Sequence, residues 1–263
     1  MTRLDVWLAE NGLAESREKA QALVVAGRVR VNGQRASKPG TRVKESSAVE
    51  VETGPAHVSR GGVKLSFALD ALGVVARDRI AVDVGASTGG FTETLLARGA
   101  ARVYAVDVGR GQIHERLRTD PRVVVRDRTN ARNLSPEHVP ERCGIASMDV
   151  SFISARKILP ALRSVLAPDA DVVVLVKPQF EVGRLQVGRG GIVRDPGLHL
   201  QAMRDVAEAA QQDGYAVRGA CASPITGGEG NREFFLHLVP SDAGVGDCED
   251  DELQSLLRKA VTP

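Results

Sequence analysis

Five short apolar runs set the limits on what this chain can fold into: IAVDV (80–84), RVYAV (102–106), RVVV (122–125), GIASMDV (144–150) and DVVVLV (171–176). They are rich in valine, whose branched side chain favours a strand. Helical stretches such as FTETLLARG and ARKILPALRSVL separate several of them. A β-α-β rhythm of this kind predicts an α/β protein with a doubly wound, mostly parallel sheet. YAVRGACAS (215–223) and EFFLHLV (233–239) follow, joined by a short glycine-rich loop with no helix. They read as an antiparallel pair at the sheet's edge.

The first run leads into VDVGASTGGF (82–91), which admits two readings. Gly85-x-Ser87-x-Gly89 matches the nucleophile elbow of a serine hydrolase, which needs an acid and then a histidine downstream, and an oxyanion loop. His114, His138, His199 and His237 follow, none with an evident role, and no HGGG-like stretch precedes the turn. The second reading is a cofactor cradle: a glycine-rich turn after the first strand, with an acid ending the second strand to hold ribose hydroxyls. Asp107 ends VYAVD at the expected place. Ser87 stands where a dinucleotide-binding turn has its second glycine. The turn therefore suits a ligand with a ribose and a charged amino-acid tail, S-adenosylmethionine. The candidate cofactor-binding residues are Asp83, Gly85, Ala86, Ser87, Gly89, Gly90 and Phe91 around the methionine part, Asp107 at the ribose and Asp127 at the adenine. The rings of Phe91 and Phe152 read more as core than as ligand contacts.

Three charged residues fall at strand ends, where such a sheet places its ligand: Asp149 after SM, Lys177 after VVLV and Glu233 before FFLHLV. Lys64, in GGVKL, comes just ahead of the sheet. Methyl transfer to a hydroxyl requires the oxygen held in line and its proton removed. Two lysines framed by two carboxylates, each carboxylate orienting its lysine, suit that task. Surface ion pairs are the competing explanation.

The first sixty residues differ in texture. Leu4, Val6, Trp7 and Leu8 ahead of Gly12 suggest one short helix, and Ser16 can cap a second that Gly27 stops. RVRV followed by Asn32-Gly33 signals a hairpin. This segment carries ten Lys or Arg against seven Asp or Glu, whereas residues 241–263 carry two against six. A basic module weakly suggests a polyanion partner, a solvated surface being the plainer explanation. Cys143, Cys221 and Cys248 are widely spaced, which fits unpaired thiols in a reducing compartment. The N-terminus lacks a signal-like apolar run, and VVVLV is far too short to span a bilayer. The expected location is the cytoplasm.

In their order along the chain these motifs resemble a known family. RLDVWLAENG-LAESREKAQALVVAGRVRVNG resembles an S4 RNA-binding module. HVSRGGVKL, VDVGASTGGFT, VYAVDVGRGQ, DRTNARNL, MDVSFIS, VKPQFE, GRGGIVRD and SPITGGEGNREFF are similar to the TlyA proteins, ribosomal RNA cytidine 2′-O-methyltransferases of the FtsJ type that are also described as haemolysins. The resemblance spans about residues 1–240. It implies a Rossmann-like class I methyltransferase sheet with an antiparallel last strand, plus a small N-terminal α+β S4-like domain. The expected division is 1–58 for the S4-like domain, 59–63 for a linker, 64–240 for the methyltransferase domain and 241–263 for an acidic tail.

The family's Lys-Asp-Lys-Glu set falls on Lys64, Asp149, Lys177 and Glu233. The resemblance implies that Lys177 contacts the target 2′-hydroxyl, that Asp149 lies beside it as a cofactor-binding residue near the methyl donor, and that transfer is direct, without a metal. The family often has Glu where Asp127 stands, so the shorter acid weakens an adenine contact there. Arg3, Arg17, Lys19, Arg28, Arg30, Arg35 and Lys38 are candidate RNA-binding residues suited to phosphates of a folded RNA, and Arg60 to setting domain orientation. The expected activity is S-adenosylmethionine-dependent 2′-O-methylation of cytidine in 16S or 23S ribosomal RNA, with ribosomal RNA or subunits as partners and no obligate protein partner. The alternatives are a non-catalytic RNA-binding or ribosome assembly factor, or a membrane-active haemolysin.

Overall fold

The structure is a computed structural model, and it describes residues 2–14, 16–25, 27, 29–36, 38–44, 47–51, 59–227, 230–241 and 250–262. The chain divides into two compact units, Met1–Ala56 and His57–Pro263.

The first unit holds β1 (Thr2–Arg3), α1 (Leu4–Glu10), α2 (Arg17–Val25), β2 (Val29–Val31), β3 (Gln34–Arg35), β4 (Arg42–Val43) and β5 (Val49–Val51). The Ser16 hydroxyl accepts from Lys19 N at 3.2 Å and caps α2. Asn32 and Gly33 both take positive φ, 52° and 78°, as the tight turn between β2 and β3 requires. Leu4, Leu8, Ala20, Val24, Val29 and Val43 close a small core of their own. Strands β1, β4 and β5 were not legible beforehand. They are two or three residues long, too short for a pattern to show.

The second unit opens with α3 (Gly61–Leu72), so most of the expected linker at 59–63 is helical. There follow β6 (Ile80–Val84), α4 (Gly90–Ala97), β7 (Arg102–Val106), α5 (Glu115–Arg118), β8 (Val123–Arg126), β9 (Cys143–Met148), α6 (Leu159–Arg163), β10 (Leu166–Val176), α7 (Pro178–Glu181), α8 (Pro196–Gln212), β11 (Tyr215–Ala222), β12 (Phe234–Pro240) and α9 (Asp250–Val261). Seven strands form one sheet in the order β11-β12-β10-β9-β6-β7-β8. Strand β12 pairs antiparallel with both neighbours and the other pairings are parallel. The reversed strand thus lies inside the sheet, and β11 forms the edge.

The valine runs are explained by what covers them. Val172, Val174 and Val176 face one core, while Val173 and Leu175 face the other. Helices α3 and α4 cover one face, and α6, α8 and α9 the other. The acidic tail at 241–263 is therefore not an appendage throughout. Leu253, Leu257 and Val261, one turn apart, are buried beside α8 and β11. Cys143 and Cys221 are unpaired thiols, and Cys248 lies outside the described residues. Among the described residues no helix is long and apolar enough to cross a membrane.

Candidate active site

The chain runs β6, β7, β8 towards one edge, then returns to place β9 on the other side of β6. That reversal falls between β6 and β9, and the crevice outside their carboxyl ends, between the loops that follow them, is the position where open α/β sheets bind ligands. Apart from Asp83, within β6, the sheet-borne charged residues singled out from the sequence lie on the side of the sheet where the parallel strands end. Glu233 precedes β12, Lys177 follows β10, Asp149 follows β9, Gly85 follows β6, and Asp107 and Asp127 follow β7 and β8. Because β12 is reversed, Glu233 reaches the edge from the start of its strand rather than from the end.

The four candidate catalytic side chains form two pairs. The Lys64 ammonium, carried by α3, donates to Glu233 Oε2 at 2.5 Å, and both side chains are almost wholly buried. The Lys177 ammonium lies 2.6 Å from Asp149 Oδ1, out of that oxygen's hydrogen-bonding direction, and donates to Ser151 Oγ at 2.9 Å. Each carboxylate is thus paired with one lysine. Ser151 was missed, since a serine three residues past a strand carries no signal of its own.

The glycine turn is a built structure. Gly85 and Ala86 donate their amides to Val106 O, at 2.9 and 3.1 Å. Asp107 accepts from Ser87 N at 2.8 Å and from Gly109 N at 2.7 Å, so its carboxylate shapes the turn. A carboxylate offers about four acceptor positions, which leaves Asp107 capacity for two further donors such as ribose hydroxyls. Ser87 is exposed at φ 48° and Gly89 sits at φ 100°. Asp127 accepts from Gly111 N at 3.0 Å and lies 3.5 Å from the Arg118 guanidinium, tying two loops of the cradle together.

Four expected ligand contacts need correction. Asp83 is fully buried beneath the turn, where its two oxygens accept from Thr92 Oγ1 at 2.7 Å and Ser147 Oγ at 2.9 Å. Burial pushes its carboxyl up to about 7, Thr92 and Ser147 hold it down in part, and the neighbouring Asp149 charge raises it further. It joins β6, α4 and β9 and presents no face to a ligand. Gly90 is small because Ser59 and the Gly62 amide occupy the space a side chain would take. Phe91 packs on Phe235, ring centroids 6.3 Å apart, as core. Ala86 is buried as well. At Gly85, φ 84°, a side chain would strike the carbonyl oxygen of Asp149. That glycine serves the close approach of two strand ends.

Phe152 departs from the core expectation in the opposite direction. It is 92% exposed at φ 64°, its ring 5.2 Å from that of Phe180. A non-glycine residue in the left-handed region costs energy and marks a constrained position.

The hydrolase reading finds no support in this geometry. Ser87 Oγ has no histidine partner among the hydrogen bonds of the described residues. His237 pairs with Asp171 at 2.7 Å within the sheet, and His199 is buried against Val193 O.

Of the candidate RNA-binding residues, Lys19, Arg35 and Lys38 are exposed on the first unit. Arg3 and Arg17 are half exposed and share Asp5, which is fully buried and also accepts from Gln21 at 2.8 Å. These donors, Arg3 foremost, hold the Asp5 carboxyl far below the usual range. Arg30 donates to Gly33 O. Arg28 lies outside the described residues. Arg60 belongs to the second unit and donates to Thr226 O at 3.2 Å.

Comparison with known proteins agrees with this geometry. Residues 57–239 match the FtsJ-like methyltransferase family and residues 2–49 the S4 domain. The 16S/23S rRNA (cytidine-2′-O)-methyltransferase TlyA of Mycobacterium tuberculosis is 51% identical over 238 residues, covering 90% of this chain and 89% of that protein. Hemolysin A of Brachyspira hyodysenteriae is 38% identical over 238 residues, covering 90% and 99%. A solved structure from Streptococcus thermophilus, named as a hemolysin, superposes with a TM-score of 0.75 at 41% identity, covering 98% of this chain and 94% of that one. The chain belongs to the TlyA family of FtsJ-like methyltransferases bearing an S4 domain.

Proposed function

We propose that this protein transfers a methyl group from S-adenosylmethionine to the 2′-hydroxyl of a cytidine in ribosomal RNA. The observation that carries the reading is the meeting of two lysine–carboxylate pairs with a built glycine turn along one sheet edge. The substrate class rests on the relative from Mycobacterium tuberculosis, which is named for that reaction.

The cradle suits the cofactor on two counts. Asp107 has acceptor capacity left over, and the exposed Ser87–Thr88 stretch of the turn offers backbone that a ligand can approach. Asp107 would hold the ribose, the backbone at Ser87 and Thr88 the amino-acid end, and the loop of Asp127 the adenine side. Bound there, S-adenosylmethionine supplies an electrophilic methyl group. Lys177, steadied by Asp149 and Ser151, holds the target oxygen in line, and the Asp149 carboxylate takes up the proton that the oxygen loses as the methyl group arrives. Lys64 and Glu233 fix the far side of the site. Exposed Phe152 offers a face on which a base can stack. Basic residues of the first unit bind RNA phosphates.

Lys177→Ala should lower methyl transfer to ribosomal RNA by at least about a thousandfold while cofactor affinity by calorimetry stays within about threefold, since the lysine acts on the transition state. Full turnover by this variant would end the proposed mechanism.

A further inference from the structure

Glu181 stands four residues beyond Lys177, at the end of the four-residue helix α7. Its side chain is 3% exposed, although it sits next to the crevice. A buried carboxylate is costly unless it is well supplied with donors, and the donors here all come from one place. Glu181 Oε1 accepts from Ala155 N at 2.8 Å, and Oε2 accepts from Ser154 Oγ at 2.5 Å. The Arg156 guanidinium lies 3.4 Å from Oε2 and also donates to the Glu181 carbonyl oxygen at 3.3 Å. Every one of these partners belongs to the segment that leaves β9 through Asp149, Ser151 and Phe152.

That segment and α7 meet the reaction from two sides. Lys177 reaches across to Asp149 and Ser151, and the tilted rings of Phe152 and Phe180 lie 5.2 Å apart. The β9–β10 ladder ends at Met148 and Val174; beyond it Leu175 and Val176 pair with β12 and Asp149 N donates to Val84 O, so no β9–β10 ladder bond joins the two segments that follow. We propose that Glu181 is a positioning residue: its carboxylate fastens the segment after Asp149 to the helix after Lys177, so that both strand ends move as one piece. The consequence for catalysis rests on the methyltransferase reading above. The fastening itself does not.

The experiment compares the full-length protein with Glu181→Ala and Glu181→Gln. Displacement of a reacting group by about 1 Å costs on the order of a hundredfold in rate, so Glu181→Ala should lower kcat by roughly ten- to a hundredfold. Its affinities for S-adenosylmethionine and for RNA should stay within about threefold of wild type, because neither binding surface is removed. Glu181→Gln retains an acceptor for Ala155 N and should recover most of the rate. Trypsin reports on the fastening directly. The Arg156–Lys157 bond should be cut several times faster in the alanine variant than in the wild type or the glutamine variant. Should Glu181→Ala fail to fold, the double change Ser154→Ala with Ala155→Pro removes both loop donors and is expected to give the same pair of effects. Wild-type kcat and wild-type cleavage in whichever of these folds would overturn the proposal, as would a rate loss matched by an equal loss of cofactor affinity. An inactive wild type with faster trypsin cleavage in the alanine variant would leave the fastening standing and remove the methyltransferase reading.

Discussion

Sealed at the centre of the sheet, Asp83 keeps a carboxyl that burial moves from 3.8 to about 7. A group whose folded value is raised favours the fold while protonated. Its contribution is complete below pH 4 and is lost as pH rises through about 7, at roughly 1.4 kcal/mol for each unit between the two values. Asp83→Asn keeps the shape and removes the charge. The variant should therefore gain stability relative to the wild type as pH rises from 4 to 7. Urea titrations across that range test this, and a constant offset between the two curves would contradict it. The same residue shows where inference from the sequence ran short. An acid in a glycine-rich motif reads as a ligand contact, and only the hydroxyls of Thr92 and Ser147, nine and sixty-four positions away, show that it is satisfied from within.

At the level of elements, legibility followed pattern length. The valine runs announced the sheet because five strands of one composition recur with helices between them. The two- and three-residue strands of the first unit gave no such repetition. A short terminal helix is one of two readings of the tail, and what escaped was its burial, because the acids of its first turn drew attention from the spacing of Leu253, Leu257 and Val261 along one face. Its burial makes a clear prediction. Leu257→Ala should cost about 2–5 kcal/mol, as for other fully buried leucines, read as a lowered denaturation midpoint with unchanged slope. A change below about 0.5 kcal/mol would mean that α9 contributes little to the fold.

Over the whole molecule, most of the candidate RNA contacts and the paired lysines fall in different units. The exposed cations Lys19, Arg35 and Lys38 lie on the small one, and the paired lysines on the large one. Replacing those three with glutamine should weaken RNA binding and reduce the slope of log affinity against log salt by up to about 0.7–0.9 per lost phosphate contact. Cofactor affinity should not change. An unaltered salt slope would exclude these side chains from the RNA interface. The candidate site was readable in advance to the extent that strand ends are readable, since Lys177, Asp149 and Glu233 each adjoin an apolar run. The pairing of partners was not, because Lys64 and Glu233 lie 169 positions apart in the sequence.

The two sides of the crevice are joined at their roots. The carbonyl of Asp149 rests over Gly85, where no side chain fits, and Asp149 N donates to Val84 O at 2.9 Å, so the turn and the segment bearing Ser151 adjoin directly. A shift of one is then passed to the other, and the crevice acts as one site rather than two independent pockets. Thermodynamic reciprocity then applies: whatever factor an occupied turn contributes to binding on the Ser151 side, occupancy of that side returns to the turn in equal measure.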